Sequence, residues 1–442
     1  MVDALYRRAA WRLLPLLFLC YIVAYLDRVN VGFAKLQMTT ALQWSDAVYG
    51  FGAGIFFIGY FAFEVPSNLL LERVGARRWI ARIMISWGLI SCAFAFVDRL
   101  PWGPLPGWFG LRPDVFGFYA LRFLLGLAEA GFFPGIILYL TYWFPQGYRA
   151  RTVAWFMTAI AVANVVGSPL SGWIMQAFDG SRGWMGWQWL FVLEGIPSVL
   201  MGLVVWWWLP DGPRSARWLT PIEQEQLATA IAEDQTARAR TETRTATTAG
   251  AAMRDGRVWA LAFVYFTSTV SLYGVNFWMP TLIQELGLAK DAFLQIGLLT
   301  AIPWGIGGVA MVLVGQRADR ALHRAPFVIG ALLLIAAGLV LLAAVGHTVL
   351  PSLLALTLTA TGVLVFVSSF WSIPTAFLQQ SAAAAGIAWI NSIGNLGGQF
   401  GPDLIGRVRE ATGGSTGALL TLATLAVLGA LVTARVAPRP SR

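Results

Sequence analysis

The stretch Tyr25-Leu26-Asp27-Arg28-Val29-Asn30 places two opposite charges near the end of the first long apolar segment of the chain. Residues 13–33 are otherwise almost all apolar, and about 20 such residues are what a membrane-spanning helix requires. An Asp or an Arg at the centre of a membrane helix costs roughly 2.5–3.5 kcal/mol on insertion scales. Charges at this depth are kept where they form a pair, face water or contact a ligand. We therefore expect the rest of the chain to surround Asp27 and Arg28.

The composition indicates a membrane protein with many spans. The 442 residues are 57% hydrophobic and only 12% charged, whereas a soluble domain carries roughly 25% charged residues. A net charge of +9 would favour nucleic-acid binding in a soluble protein, but here the basic residues lie between apolar segments, as membrane topology signals do. The cysteines Cys20 and Cys92 lie inside apolar segments and indicate no disulfide framework. Neither a phosphate-binding loop nor metal-ligand spacing is present, so we expect no metal, no cofactor and no enzymatic activity.

Twelve apolar segments are each long enough to cross about 30 Å of hydrocarbon. The sequence therefore predicts an all-α membrane protein with twelve transmembrane helices. The first apolar run is too long for a signal peptide, so we expect it to remain as the first helix. The predicted spans are 11–33, 48–71, 79–97, 115–140, 152–177, 187–209, 258–284, 293–314, 326–345, 350–371, 384–405 and 414–436.

Arginines set the predicted orientation. They precede the first span, follow spans 2, 4 and 8, and recur in the long central loop and the tail, always on the side of the N-terminus. The positive-inside rule places this side, with both termini, in the cytoplasm of a bacterial-type inner membrane. Arg407 and Arg409, before the last span, are a local exception on the outer side.

The polar stretch 210–256 divides the spans six and six, which predicts an N-terminal half at 1–209 and a C-terminal half at 257–442. Thr220-Pro221-Ile222-Glu223 combines a capping box with proline at the first helical position, so a short helix should follow over about 220–235. Paired halves with nested inverted repeats place a binding site between them, near the membrane midplane.

An acid followed by basic residues recurs at the ends of spans 2 and 8. The first copy contains Glu72 and Arg77, and the second contains Asp319 and Arg320. Such clusters can latch neighbouring helices, and their recurrence in both halves favours a gating role for all four residues.

Several stretches of the chain match a known family. Glu72, Gly75, Arg77 and Arg78 look like the loop signature of the major facilitator superfamily, with Glu in place of the usual Asp. More narrowly, the whole chain resembles the anion:cation symporter family, whose members include tartrate, sugar-acid, phthalate and hydroxyphenylacetate permeases. The resemblance implies the fold of twelve helices in two halves and a transport function. The matching stretches are 25–32, 59–68, 122–131, 370–374 and 390–398.

Charged residues inside the first half are candidates for proton coupling. Arg122 and Glu129 are seven residues apart on span 4, hence on one face and about 10 Å apart in height. By depth, Asp27 should pair with Arg122, which leaves Glu129 less compensated and suited to carry a proton. In the family's galactonate permeases the two matching carboxylates take part in proton coupling, so the resemblance implies this role for Asp27 and Glu129. The alternative is a set of static ion pairs that lock helices 1 and 4.

Arg28 is the candidate for binding a substrate carboxylate. Adjacent side chains on a helix point about 100° apart, so Arg28 should face the central cavity if Asp27 faces Arg122. A guanidinium offers a fixed fork of donors that suits a carboxylate. The alternative is an arginine that anchors helix 1 at the outer interface.

Uncharged polar residues and aromatic rings complete the predicted site. Asn391 and Asn395 are four residues apart on span 11 and share a face; Asn395 is favoured as a substrate contact by the resemblance, and helix–helix hydrogen bonding is the alternative. Glu64, near the end of span 2, is expected to act in gating rather than in substrate binding. The other predicted lining residues are Tyr25, Tyr60, Tyr273, Asn276 and Trp371.

These observations predict a monomeric secondary transporter that imports a small organic carboxylate together with protons by alternating access. A sugar acid, a tartrate-like acid and an aromatic acid are all open as substrate. One alternative is a proton-independent exchanger or exporter of organic anions with the same fold. A more remote alternative is a membrane sensor that binds a ligand without moving it.

Overall fold

The computed structural model describes residues 2–242, 254–321, 323–346, 348–377 and 380–436, and within these ranges it contains helices and no strands. The predicted all-α fold is confirmed. We number the long helices α1 (Val2–Val29 and Val31–Ala41), α2 (Asp46–Val74), α3 (Ala76–Ala93), α4 (Pro113–Glu129 and Phe132–Thr141), α5 (Gln146–Ala177), α6 (Gly186–Trp208), α7 (Gly256–Gln284), α8 (Phe293–Arg320), α9 (Ala325–Val345), α10 (Val349–Phe370 and Ser372–Phe377), α11 (Gln380–Asn395 and Gly397–Thr412) and α12 (Thr416–Val436). A further helix, Pro221–Glu242, which we call the linker helix, lies between α6 and α7.

Eleven of the helices are long and apolar enough to cross a membrane within the described ranges. The exception is α11, which is broken at Leu396 into two helices of 16 residues, the second of which has a mixed polar sequence. It nevertheless packs deeply in the bundle against α2 and α7. The polar character of α11 reflects its position between other helices instead of against lipid.

The first helix is longer than its apolar run. The predicted span 11–33 covers only the middle of α1, which begins at Val2 and ends at Ala41. Backbone hydrogen bonds continue through the interruption at Asn30, whose N–H donates to Leu26 O at 2.9 Å and whose carbonyl accepts from Ala34 N at 2.9 Å. Asp27 therefore lies 14 residues before the end of the helix at Ala41, because the helix continues past the apolar run.

The fourth span is broken directly after Glu129. Ala130 leaves helical geometry, and Gly131 has a φ of +82°, which favours glycine. A Cβ on Gly131 would also lie 2.3 Å from Ser67 Oγ of α2. The predicted continuous helix 115–140 is thus two helices. Their junction ends the first one at the carboxylate that the sequence singles out.

Helices α1–α6, the N-terminal group, meet helices α7–α12, the C-terminal group, mainly through three contacts. These are α2 against α11, α5 against α8, and the second part of α1 against α7. Glycines bring the backbones together: a Cβ on Gly50 would lie 2.5 Å from Pro402 O, and one on Gly172 would lie 2.2 Å from Phe293 O. We call the side that holds the start of α1 and the linker helix the linker side, and the opposite side the far side.

The linker helix begins as the sequence predicts. Thr220 Oγ1 accepts a hydrogen bond from Glu223 N at 3.3 Å, and Glu223 Oε2 accepts one from Thr220 N at 2.9 Å, which is the capping box. The hydrogen bond from the Thr220 backbone, with a smaller contribution from Arg8, lowers the pKa of Glu223. Arg8 Nη1 contacts Glu223 Oε1 at 3.1 Å, so the linker helix is tied to the start of α1.

The close approach of α2 and α11 on the far side can be tested with a bulky side chain at Gly50. Leucine there cannot fit beside Pro402 and Gly406, so Gly50→Leu should push the two groups apart on the far side. Spin labels at positions 107 and 412, with Cys20 and Cys92 replaced by serine, should shift to longer distances. Gly330→Leu is the control, because no atom lies within 4 Å of a Cβ there. An unchanged distance distribution in Gly50→Leu would contradict the packing described.

Candidate functional site

A cavity lies between the two groups of helices. Seven of the predicted substrate-binding residues line it, and they come from both groups: Tyr25, Arg28, Tyr60, Tyr273, Trp371, Asn391 and Asn395. Sequence reasoning did not single out the other polar lining residues, Tyr21, Tyr265, Ser268 and Thr269. They come from α1 and α7, whose apolar composition gave no signal for them.

The Arg28 guanidinium is the charged centre of the cavity wall. Its Nη2 forms an ion pair with Glu129 Oε1, and its Nη1 donates to Tyr273 Oη at 3.0 Å. Both charged residues are buried, with 8% of Arg28 and 2% of Glu129 exposed. The rings of Tyr25 and Tyr60 lie 5.7 and 5.8 Å from the guanidinium carbon, within the range of cation–π attraction. Arg28 thus links α1 and α4 of one group to α7 of the other.

The expected pair between Asp27 and Arg122 is wrong. Asp27 faces away from the cavity, toward α3 and α6, and accepts hydrogen bonds from Trp87 Nε1 at 3.0 Å, Ser91 Oγ at 2.8 Å and the Ser198 hydroxyl. Neighbouring side chains on a helix diverge by about 100°, so once Arg28 turns into the cavity Asp27 must point elsewhere. The depth argument failed because α1 extends well past the apolar run.

Arg122 is a buried cation without a carboxylate at ion-pair distance among the described residues. Only 1% of it is exposed. Its Nη2 donates to Ala53 O at 2.7 Å, and its guanidinium lies 5.2 Å from the Phe56 ring and 5.5 Å from the Phe277 ring. The expectation that Glu129 would be the less compensated acid is therefore also wrong. Glu129 has Arg28 as its partner, and Arg122 adds positive charge nearby.

Asn276 lies beside the cavity but not on its wall. Its amide nitrogen is 3.3 Å from Tyr25 Oη and 3.3 Å from Asn164 Oδ1, so it connects α7 to α1 and α5. Asn276 would therefore affect a bound substrate only indirectly, through its hydrogen bond to Tyr25.

Glu64 bridges the two groups on the linker side of the cavity. The buried carboxylate accepts hydrogen bonds from Asn391 Nδ2 at 2.9 Å and Ser392 Oγ at 3.2 Å. This contact joins α2 to α11. Asn391 therefore faces both the cavity and the bridge, whereas Asn395 lies on the cavity wall alone.

The predicted latch at the end of α2 is built differently from expectation. Arg77 contacts Asp211, through its backbone N–H at 2.9 Å and its Nε at 3.8 Å, while Glu72 lies exposed at the helix end. Gly75, with a φ of +96°, makes the turn that brings α3 to Asp211. At the end of α8, Arg320 is exposed, and the side chain of Asp319 lies outside the described residues.

A second ionic cluster closes the far side. Lys35 Nζ contacts Asp46 Oδ1 at 3.0 Å, Arg409 Nε contacts Asp46 Oδ2 at 3.0 Å, and Arg409 Nη2 contacts Glu285 Oε1 at 2.5 Å. Lys35 and Asp46 belong to the N-terminal group, and Glu285 and Arg409 to the C-terminal group. The sequence analysis did not identify this cluster. The signal was present, because Arg409 is one of the two arginines that break the positive-inside pattern.

The Arg28–Glu129 pair can be tested by stability. Removing one partner of a buried pair typically costs about 3–5 kcal/mol, whereas replacing both with apolar side chains is often neutral. We expect Glu129→Leu to lower the thermal unfolding midpoint in detergent, and the double variant Arg28→Met/Glu129→Leu to regain most of the loss. Equal destabilisation in the single and double variants would show that the pair does not couple the two residues.

Comparisons with known proteins agree with this architecture. A family model described as the Major Facilitator Superfamily matches residues 17–402. The chain is 46% identical to the "Putative tartrate transporter" of Agrobacterium vitis, over 98% of this chain and 95% of that one. It is 42% identical to the "Putative metabolite transport protein NicT" of Pseudomonas putida, over 96% and 93% of the two chains.

Among solved structures, a bacterial homologue of the human lysosomal transporter Spinster, in an inward-facing and occupied conformation, matches with a TM-score of 0.74. The match covers 99% of each chain at 15% identity, so it concerns the fold alone. The chain is a multi-pass membrane protein that belongs to the Major Facilitator Superfamily, a family of transporters and not of enzymes.

Proposed function

We propose that this transporter is a proton-coupled symporter that imports a small organic carboxylate by alternating access. The observation that carries the proposal is the Arg28–Glu129 ion pair on the cavity wall. The residue best suited to hold a substrate carboxylate is already occupied by a carboxylate of the protein. Glu129 and the substrate therefore compete for one guanidinium.

Protonation of Glu129 resolves this competition. A neutral Glu129 no longer pairs with Arg28, so the guanidinium can donate two parallel hydrogen bonds to an incoming carboxylate. An empty carrier with a protonated Glu129 would leave Arg28 buried without a counter-charge, which is costly. Proton binding and substrate binding thus favour each other, and this is the basis of the proposed coupling.

Asp27 is the second proposed proton carrier. It lies one residue before Arg28 but in a separate polar cluster, where three donors hold its carboxylate. With protons on both Asp27 and Glu129 and one monoanionic substrate, each cycle would carry one net positive charge inward. Arg122, beside the pair, would keep the cavity positive and attract anions.

The remaining cavity wall suits the rest of an organic acid. Tyr60, Tyr273, Asn391 and Asn395 offer hydroxyl and amide groups, and Trp371 adds a flat apolar surface. Hydroxyl-rich acids can use the first set and aromatic acids the second. The name of the Agrobacterium vitis relative favours a tartrate-like acid as the first compound to test.

The contacts on the two sides of the cavity fit one step of the proposed cycle. The cluster of Lys35, Asp46, Glu285 and Arg409 closes the far side, and the Glu64 bridge is the corresponding contact toward the linker side. We place the linker side in the cytoplasm of the inner membrane, with both termini, because the arginine-rich helix ends lie there. In this orientation the carrier is closed to the outside. We propose that it works as a monomer.

Uptake into proteoliposomes tests symport. We expect tartrate, sugar acids or aromatic acids, offered one class at a time, to accumulate under an inward pH gradient, with alkalisation of the outer medium. Accumulation of one class of acid against its own concentration gradient would identify the substrate class. Movement only as counterflow, at a rate independent of pH, would favour an exchanger and contradict the proton assignment. Binding without any movement would favour a sensor.

Glu129→Gln tests the coupling residue. The amide cannot bind and release a proton, so this variant should lose accumulation under a pH gradient. A gradient of one pH unit supplies about 1.4 kcal/mol per proton, so the loss of one coupled proton should lower accumulation about tenfold. Exposed Glu225, which pairs with Arg214 at 3.1 Å in the linker region, provides the control variant Glu225→Gln. If Glu129→Gln still concentrates the substrate as the control does, Glu129 does not couple protons.

A further inference from the structure

A second buried carboxyl group lies behind Asp27, on the side of α1 away from the cavity. Glu194 of α6 is only 3% exposed. It lies one helical turn before Ser198, the residue whose hydroxyl donates to Asp27. Nothing in the proposed cycle uses Glu194, and the sequence analysis did not single it out.

The hydrogen bonds around Glu194 are incomplete. Its Oε1 accepts from Ser171 Oγ of α5 at 2.6 Å, while its Oε2 is buried without a partner. The side chain of the neighbouring Asn30 is also buried and lies close enough to interact with Glu194, yet neither of its polar atoms reaches hydrogen-bond geometry with a described partner. A neutral Glu194 would donate from Oε2 to the Asn30 oxygen, and an ionised Glu194 would accept from the Asn30 nitrogen. The hydrogen-bonding groups fit either form, so the surrounding charges decide between them.

Among the described residues, no cation faces this position to compensate an ionised Glu194. The elements packed against this part of α6 contribute Asp27 and Asn30 from α1, Cys92 from α3 and Ser171 from α5. Arg28 points into the cavity toward Glu129. The charged neighbour of Glu194 is therefore another acid, and two adjacent carboxylates without a cation are strongly unfavourable in a low-dielectric interior.

The cluster lies within the N-terminal group of helices. Glu194 and Ser198 belong to α6, Ser171 to α5, and Asp27 and Asn30 to α1. It is separate from the cavity wall, where Arg28 forms its ion pair with Glu129. A proton held by Glu194 is therefore distinct from the proton that controls access to Arg28.

We infer that Glu194 is a further proton-binding site of the carrier and that it holds its proton in this closed state. This role rests on the proposed proton-coupled function and extends it. The carrier would bind protons at Glu129, Asp27 and Glu194. The first of these controls access to Arg28, and the other two form an acid pair outside the substrate cavity.

Infrared spectroscopy of the purified protein tests whether the proton is present, without any substrate. The carbonyl stretching band of protonated carboxyl groups should lose one component in Glu194→Gln but not in the exposed control Glu225→Gln. In Ser171→Ala the component should move to higher frequency, because the carbonyl oxygen of Glu194 loses its hydrogen bond. Identical bands in the wild type and Glu194→Gln would show that Glu194 is ionised, and would overturn the assignment.

The proton count of transport tests whether that proton moves. In proteoliposomes with radiolabelled tartrate at zero membrane potential, the ratio of protons to tartrate, from the pH gradient that stops net flux against a fixed tartrate gradient, should fall by one in Glu194→Gln relative to Glu225→Gln. A protonated Glu194 in the infrared spectrum with an unchanged ratio would make it a structural neutral acid and overturn its transport role. Tartrate movement without protons in the wild type would instead overturn the proposed function itself. If tartrate does not move, the acid that accumulates in the uptake panel replaces it.

Discussion

The structure depends on a cation that is buried in the middle of a membrane protein. A buried arginine without a counter-charge is costly, and Glu129 supplies a counter-charge to Arg28 from α4. The break after Glu129, made possible by Gly131 beside Ser67, ends the first part of α4 at this carboxylate. Tyr273, from the other group of helices, completes the contacts of the guanidinium. One side chain thus joins the local geometry of two helices to the relative position of the two groups.

Two adjacent charges on α1 serve two separate polar regions. Arg28 faces the cavity, and Asp27 faces Trp87, Ser91 and Ser198 on α3 and α6. Since the two side chains diverge by about 100°, a rotation of α1 cannot change one environment without changing the other. In the proposed cycle this links the substrate site to the acid pair of Asp27 and Glu194 through the helix itself, with no direct contact between the two carboxylates and the substrate.

The sequence was sufficient for the number and order of the long helices and for several polar residues of the cavity, because both follow from local rules. Apolar length gave the spans, the capping box at Thr220 and Glu223 gave the start of the linker helix, and isolated charges marked Asp27, Arg28 and Glu129. Partner choice was not predictable. Whether Arg28 or Arg122 meets Glu129 depends on where α1 ends and on which way it is rotated, and both are set by packing against other helices.

The far-side cluster was missed for a related reason. Residues such as Asp46 and Arg409 lie at helix ends, where single charges are common and carry no information until the two groups are placed together. The break in α4 escaped notice because glycine and proline are frequent in membrane helices. Sequence alone identified seven of the residues that line the cavity. It missed the residues of the cluster that closes the far side.

The strength of the far-side cluster explains how such a closure could be reversible. Asp46 and Glu285 keep 28% and 33% of their side chains exposed, so water screens their ion pairs with Arg409. Ion pairs of this kind are worth about 0–1 kcal/mol each, whereas separating the buried Arg28–Glu129 pair would leave two uncompensated charges in the interior. Other contacts between the groups on the far side include close approaches of glycine to backbone, as at Gly50 and Gly172. The buried Arg28–Glu129 pair lies within the N-terminal group, and of the ion pairs in the far-side cluster only Asp46–Arg409 joins the two groups. The far side can therefore open in the proposed cycle without separating Arg28 from Glu129.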